Sequence, residues 1–145
     1  MKSLFLTWQP WAVLSAVFAG LTAILAKVGV ENVGSDFATF VRTVVVLAVL
    51  ALILTVSGQW QSLGTVPGRS YTFLALSGLA TGGSWLCYFR ALQLGDAAKV
   101  APVDKLSVIL VAVFATMFLG EKLSGANWLG ILMVGAGTIL IAYRG

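Results

Sequence analysis

The stretch VAPVDKLSVILVAVFATMFLG, residues 100–120, is apolar except for Asp104 and Lys105 near its start. Its charge-free part, residues 106–120, has 15 residues. At about 1.5 Å per residue, that is too short for a helix to cross a hydrocarbon core about 30 Å thick. Proline is tolerated at the first position of a helix, so Pro102 predicts a helix over residues 102–119 with Asp104 in its first turn.

The composition indicates an integral membrane protein. Of the 145 residues, 59% are hydrophobic and 10% are charged, whereas a soluble domain has about 25% charged residues. Five stretches of 15 residues or more contain no Asp, Glu, Lys or Arg: residues 3–26, 43–68, 70–89, 106–120 and 123–143. No linker or soluble domain separates these stretches, so the sequence predicts one membrane domain over residues 1–145.

Segments rich in Gly, Ser, Asn and Asp separate the apolar stretches, as expected of loops: GVENVGSD, SGQWQSLGTVPGRS, GDAAK and GEKLSG. They predict an all-α protein with about five transmembrane helices, at residues 8–27, 37–56, 71–94, 102–119 and 126–143. Five spans place the two termini on opposite sides of the membrane. Six of the nine Lys and Arg residues then fall on the side of the C-terminus. The positive-inside rule favours a cytoplasmic C-terminus in a prokaryotic inner membrane.

Enzymatic chemistry has little support in the sequence. The chain has no histidine and a single cysteine, Cys87, and no glycine-rich phosphate loop follows a strand. We therefore expect a protein that is not an enzyme and that has no metal site, cofactor or nucleic-acid partner.

A row of hydroxyl groups follows one face of the third predicted helix. Spacings of four, three and four residues place Ser77, Thr81, Ser84 and Tyr88 on that face. Such a row is typical of two structures. It either lines a polar cavity or allows helices to pack closely through hydrogen bonds.

Charged side chains collect near one end of the first four predicted helices: Lys27, Arg42, Arg90, Asp104 and Lys105. Lys27 is interpreted either as an interfacial anchor or as a functional group. Asp104 either caps its helix, with Lys105 extending to lipid headgroups, or has a role in proton coupling or ligand orientation. In the second case Lys105 or Arg90 supplies the counter-charge. Adjacent helical residues point about 100° apart, so we expect Asp104 and Lys105 not to pair with each other.

Several segments together carry a family resemblance: ATFVRT, YFRALQLG, VAPVDKLS, FLGEKLS and GAGTILIA. The chain resembles, over essentially its whole length, an EamA-type domain of the drug/metabolite transporter superfamily. This resemblance implies a membrane transporter with a solute path between packed helices. Many members contain two such repeats of inverted topology, in about ten helices, and this chain resembles the short members with one repeat. Unlike the small multidrug resistance relatives, it has no acidic residue in its first helix.

The resemblance and the residues together predict an ion-coupled secondary transporter of small metabolites or drug-like solutes. Its partners would be a small-molecule substrate, membrane lipid and a second copy in a homodimer, for which the antiparallel form is favoured. The alternatives are a non-transporting membrane subunit and a component of a lipid-carrier flippase. The basic groups favour solutes with a carboxylate. The candidate residues for substrate binding or coupling are Asp104, Lys105, Arg90, Ser77, Thr81, Ser84, Tyr88, Arg42 and Lys27.

Overall fold

A computed structural model describes residues 7–143, and all regular elements in this range are helical. Six α-helices follow one another: α1 (Trp8–Gly29), α2 (Ser35–Ser57), α3 (Gly68–Leu94), α4 (Ala97–Asp104), α5 (Ser107–Phe118) and α6 (Gly125–Tyr143). A single turn of 3-10 helix, Leu63–Thr65, lies between α2 and α3. The all-α fold expected from the sequence is confirmed. Lys2 and Arg144, which entered the charge count, lie outside the described residues.

The prediction of a single fourth helix over residues 102–119 is wrong in two respects. Helical structure begins at Ala97, and the helix is interrupted after Asp104. Asp96 is the residue that precedes α4, and its carbonyl accepts bonds from the N–H groups of Lys99 and Val100 at 3.0 and 2.9 Å. Pro102 therefore lies inside α4 rather than at its first position. A proline there cannot bond to the carbonyl four residues earlier, which weakens the helix around it.

Four helical segments of the described chain are long and apolar enough to cross a membrane: Trp8–Gly29, Ser35–Ser57, Ala97–Phe118 and Gly125–Tyr143. The third of these combines α4 and α5. Helix α3 is long enough, with 27 residues, but its serine, threonine and glycine residues lower its hydropathy. By length and hydropathy, residues 7–143 thus contain four candidate spans, one fewer than the sequence predicts.

The chain divides into two compact units. One combines α1 as far as Ile24 with the chain from Leu94 onwards, and in it both α4 and α5 pack against α6. Gly135 of α6 is buried there, and a β-carbon at this position would lie 2.5 Å from Cδ1 of Ile109 in α5. The absence of a side chain at Gly135 thus allows α5 and α6 to come close.

The second unit, Leu25–Gln93, contains the end of α1 with α2 and α3. Its most buried side chains are Val30 and Leu92, which are 1% and 0% exposed. The Thr39 side chain is also buried, and its hydroxyl donates to the Ser35 carbonyl at 2.8 Å. A hydrogen bond from Gln93 Nε2 to the Val33 carbonyl, 3.2 Å long, joins the end of α3 to the loop before α2. This core positions α2 beside the second half of α3.

Candidate functional site

The unit Leu25–Gln93 contains an arginine surrounded by aromatic rings. Arg42 of α2 lies with its Cζ atom 3.9 Å from the centroid of the Trp85 ring and 5.6 Å from that of Phe89. Tyr88, on the same helix as these two rings, interacts electrostatically with Arg42. We call these four residues the arginine–aromatic cluster. A guanidinium over an aromatic face is attracted by the negative charge of that face.

One nitrogen of the Arg42 guanidinium is buried without an acceptor within the described chain. Its Nη1 atom is buried and has no hydrogen-bond partner there, and the ion pairs found among residues 7–143 do not include Arg42. Buried arginines are usually satisfied by carboxylates or carbonyl oxygens, because an unpaired buried donor is costly. The cluster therefore has unused capacity to bind an oxyanion.

The predicted hydroxyl row reaches this cluster at one end only. Tyr88 is half-buried beside Arg42, whereas Ser77, Thr81 and Ser84 are exposed on the surface of α3. The Thr81 hydroxyl donates to the Ser77 carbonyl at 2.9 Å. Ser77 and Tyr88 are eleven residues apart in α3, or about 16 Å along the helix. Its exposed hydroxyl groups extend the polar surface away from Arg42.

The Lys27 side chain contacts the backbone of α3. Its Nζ atom donates to the carbonyl of Leu92 at 2.7 Å. Leu92 belongs to the last turn of α3, whose carbonyls have no donor within the helix. A lysine that bonds to such a carbonyl stabilises the end of the helix. The ammonium group thus connects the end of α1 to the end of α3. The two interpretations of Lys27, as an interfacial anchor and as a functional group, stay predictions.

Replacing Lys27 with methionine should destabilise the protein. The substitution keeps the apolar stem but leaves the buried Leu92 carbonyl without this donor, which costs about 1–3 kcal/mol. We expect a lower midpoint of thermal unfolding in detergent. Lys122→Met, at an exposed loop position, is the control and should unfold at the wild-type temperature. Equal midpoints for the two variants would show that the Lys27 bond contributes nothing.

Arg90 is not part of the arginine–aromatic cluster. It follows Phe89 in α3 but is exposed, and it forms no ion pair with a carboxylate among residues 7–143. Its suggested role as a counter-charge therefore has no contact to support it.

The structure places Asp104 and Lys105 at an interruption between α4 and α5. Here the backbone bonds connect residues three apart: Lys105 N–H donates to the Pro102 carbonyl at 2.9 Å and Leu106 N–H to the Val103 carbonyl at 3.0 Å. The same pattern continues from Val108 to Lys105 at 3.0 Å. Such tightened turns within a helix often mark a hinge or a strained segment. We call residues 104–106 the helix break.

Two expectations about Asp104 are wrong. It is the last residue of α4, so it does not cap a first helical turn, and neither α4 nor α5 has a side-chain cap. It also pairs with its neighbour, since Lys105 Nζ lies 3.2 Å from Asp104 Oδ2. The angle of about 100° between adjacent residues fixes only the first bond of each side chain. At the break, the long lysine side chain bends back to the carboxylate.

Sequence reasoning missed Trp85 and Phe89. With Tyr88 and the buried Leu92 they occupy positions i, i+3, i+4 and i+7 of α3, the spacing of a packed helix face. A tryptophan far from both ends of a 27-residue helix is also unlike the usual interfacial position of this residue. These two signals could have identified the aromatic face, but not that Arg42 lies against it.

Comparison with known proteins agrees with this architecture. Residues 6–143 match the family described as the EamA-like transporter family. The chain is 62% identical over 136 residues to a protein of Sinorhizobium sp. called "Uncharacterized transporter in cobO 3'region", covering 94% of this chain and 96% of that protein. No solved structure matches the chain. The chain therefore belongs to the EamA-like transporter family and is a membrane protein.

Proposed function

We propose that the protein is a secondary transporter of small metabolites or drug-like solutes, driven by an ion gradient across a prokaryotic inner membrane. The observation that carries this proposal is the interrupted span Ala97–Phe118, which has a carboxylate at its break. Interrupted helices within spans are typical of substrate and ion sites in secondary transporters.

The charges at the helix break support this assignment. The side chains of Asp104 and Lys105 are 37% and 54% exposed, although they belong to a segment that is otherwise apolar. Charged groups are costly in lipid and are tolerated within spans where they line a hydrated path. A carboxylate at such a position can bind a coupling proton or orient a charged part of the solute. Asp104 is therefore the proposed coupling residue, with Lys105 as its partner.

The proposed transporter has five spans, with α3 as the additional one, and works as a homodimer. A span with exposed hydroxyl groups is suited to a hydrated path rather than to lipid, which accounts for its lower hydropathy. Two copies would supply about ten helices, and an antiparallel pair would reproduce the inverted repeats that permit alternating access. The charge distribution by itself favours a cytoplasmic C-terminus, whereas an antiparallel pair needs copies of both orientations.

Labelling of single cysteines should detect both orientations. In a Cys87→Ala background, Asn32→Cys and Gln61→Cys place the label in the loops at opposite ends of α2. We expect a membrane-impermeant maleimide, applied to intact cells, to react with a fraction of each variant because inverted copies coexist. Reaction of only one variant, in protein that transports, would exclude the antiparallel dimer.

Transport by the purified protein in liposomes tests the proposal as a whole. With a pH-sensitive dye inside the liposomes, we expect addition of a transported solute to move protons, and protein-free liposomes to give no signal. A panel of amino acids, organic acids and organic cations covers the proposed solutes. If no solute elicits proton movement, the non-transporting subunit is favoured. Movement of a labelled polyprenyl phosphate between leaflets would instead support the flippase component.

A further inference from the structure

We propose that the arginine–aromatic cluster, Arg42 with Trp85, Tyr88 and Phe89, is a binding subsite for the carboxylate of a small organic solute. The assignment rests on the proposed transport function and specifies which part of the solute the protein recognises. It requires only residues of the unit Leu25–Gln93.

Arg42 differs from the other basic candidates because one of its nitrogens is buried and has no hydrogen-bond acceptor in the described part of the chain. The ammonium of Lys27 donates to the Leu92 carbonyl, and that of Lys105 pairs with Asp104. The Arg90 side chain is exposed. Only Arg42 among these four combines partial burial with a buried nitrogen that has no acceptor in the described chain. The ring contacts leave this nitrogen without an acceptor among residues 7–143, and an anion could supply one.

The geometry around Arg42 suits a carboxylate. The Trp85 ring, 3.9 Å from Cζ, covers one face of the guanidinium, so the N–H groups in its plane are the remaining polar contacts. A carboxylate can accept two of these N–H groups in a planar, bidentate pair. Tyr88, which is half-buried and interacts with Arg42, adds a phenol beside the bound anion. Trp85, which is half-buried, offers apolar surface to the rest of the solute, and the buried Phe89 supports the cluster from within the core.

The depth of the guanidinium favours a solute over a lipid phosphate. Arg42 lies seven residues after the start of α2, about 10 Å along the helix. Trp85 and Phe89 lie nine and five residues before the end of α3, or about 13 and 7 Å. The Gln93–Val33 bond places these two helix ends together. Phe89 is the ring nearer the end of α3, so an arginine that extended to the headgroups would lie closer to Phe89 than to Trp85. The Arg42 guanidinium instead lies closer to Trp85, the ring farther from the helix end.

The test measures binding directly, with benzoate as the probe. In the full chain, Trp8, Trp11, Trp60 and Trp128 are replaced by phenylalanine, so that Trp85 is the only tryptophan. The protein is placed in nanodiscs of zwitterionic lipid and its fluorescence is titrated. We expect a saturable change with benzoate, and at least about tenfold weaker binding of benzamide, which has the same shape without the charge.

Two variants and a control connect the signal to Arg42. Arg42→Gln removes the charge and should weaken benzoate binding at least about tenfold. Arg42→Lys keeps the charge but cannot form the planar, bidentate pair, so its affinity for benzoate should lie between those of the wild type and Arg42→Gln. Arg90→Gln changes the exposed neighbouring arginine and should bind benzoate like the wild type. Circular dichroism shows whether each variant keeps its helices. If Arg42→Gln is not folded, the comparison of Arg42→Lys with Arg90→Gln decides.

The possible outcomes separate this inference from the proposed transport function. Benzoate binding that depends on Arg42 supports the subsite even if the liposomes show no transport. Transport together with equal benzoate binding by wild type and Arg42→Gln would overturn the subsite alone. A second set of nanodiscs contains anionic lipid. A Trp85 signal that responds to that lipid, and not to benzoate, would overturn the subsite in favour of a lipid phosphate.

Discussion

Replacing Asp104 with asparagine is expected to abolish transport driven by a pH gradient, while the protein keeps its helices. Asparagine has nearly the same size, and its side-chain oxygen can still accept a hydrogen bond from Lys105. The backbone contact at the break is also retained, because the Ser107 hydroxyl bonds to the carbonyl of Asp104, at 2.9 Å, rather than to its carboxylate. What the substitution removes is the charge that can take up and release a proton. Uptake into liposomes should fall to the level without protein.

Asp96→Asn provides the matched control. Asp96 is also an aspartate next to α4, and it pairs with Lys99 at 3.6 Å, but it is exposed and precedes the helix. An exposed pair of this kind contributes about 0–1 kcal/mol, so both folding and transport should be retained. Circular dichroism and size-exclusion chromatography verify that both variants are folded. Full pH-dependent transport by folded Asp104→Asn would limit Asp104 to a structural role.

Replacing Gly135 with leucine is expected to cause the largest loss of stability in the unit that contains α4, α5 and α6. Even a β-carbon there would lie 2.5 Å from Cδ1 of Ile109, well inside contact distance. Alanine could be accommodated by rotation of the Ile109 end, but leucine requires α5 and α6 to move apart. Overpacking of this kind costs about 1–3 kcal/mol. The measurement is the midpoint of thermal unfolding in detergent.

Gly137→Leu controls for the change in helix propensity. Gly137 is on the same helix, is exposed, and has open space around its missing side chain. Both variants replace glycine by a good helix former, so their difference reports the contact with Ile109. Ile109→Ala should restore part of the stability lost in Gly135→Leu by making room for the new side chain. Equal unfolding midpoints for the two leucine variants would show that α5 and α6 have no close contact at Gly135.

Most of the helical framework could be predicted from the sequence because it depends on local properties. Long apolar runs and turn-forming residues located α1, α2, α3 and α6 to within a few residues. The number of spans was less accurate, since α3 combines a long apolar run with many small polar residues. The predicted start of the fourth helix, at Pro102, was also wrong. Pro102 is compatible with the first turn, but α4 begins at Ala97.

The chemical environment of each charged residue was decided by the tertiary structure. The sequence by itself determined that Lys27, Arg42 and Asp104 lie within or beside apolar helices, where charge is costly. It could not determine that Lys27 bonds to the Leu92 carbonyl or that Arg42 lies against Trp85. These partners are 65 and 43 residues away in the chain, and they meet only because of the way α1, α2 and α3 pack. Helix formation follows from neighbouring residues, whereas the contacts of a long charged side chain depend on the positions of other helices.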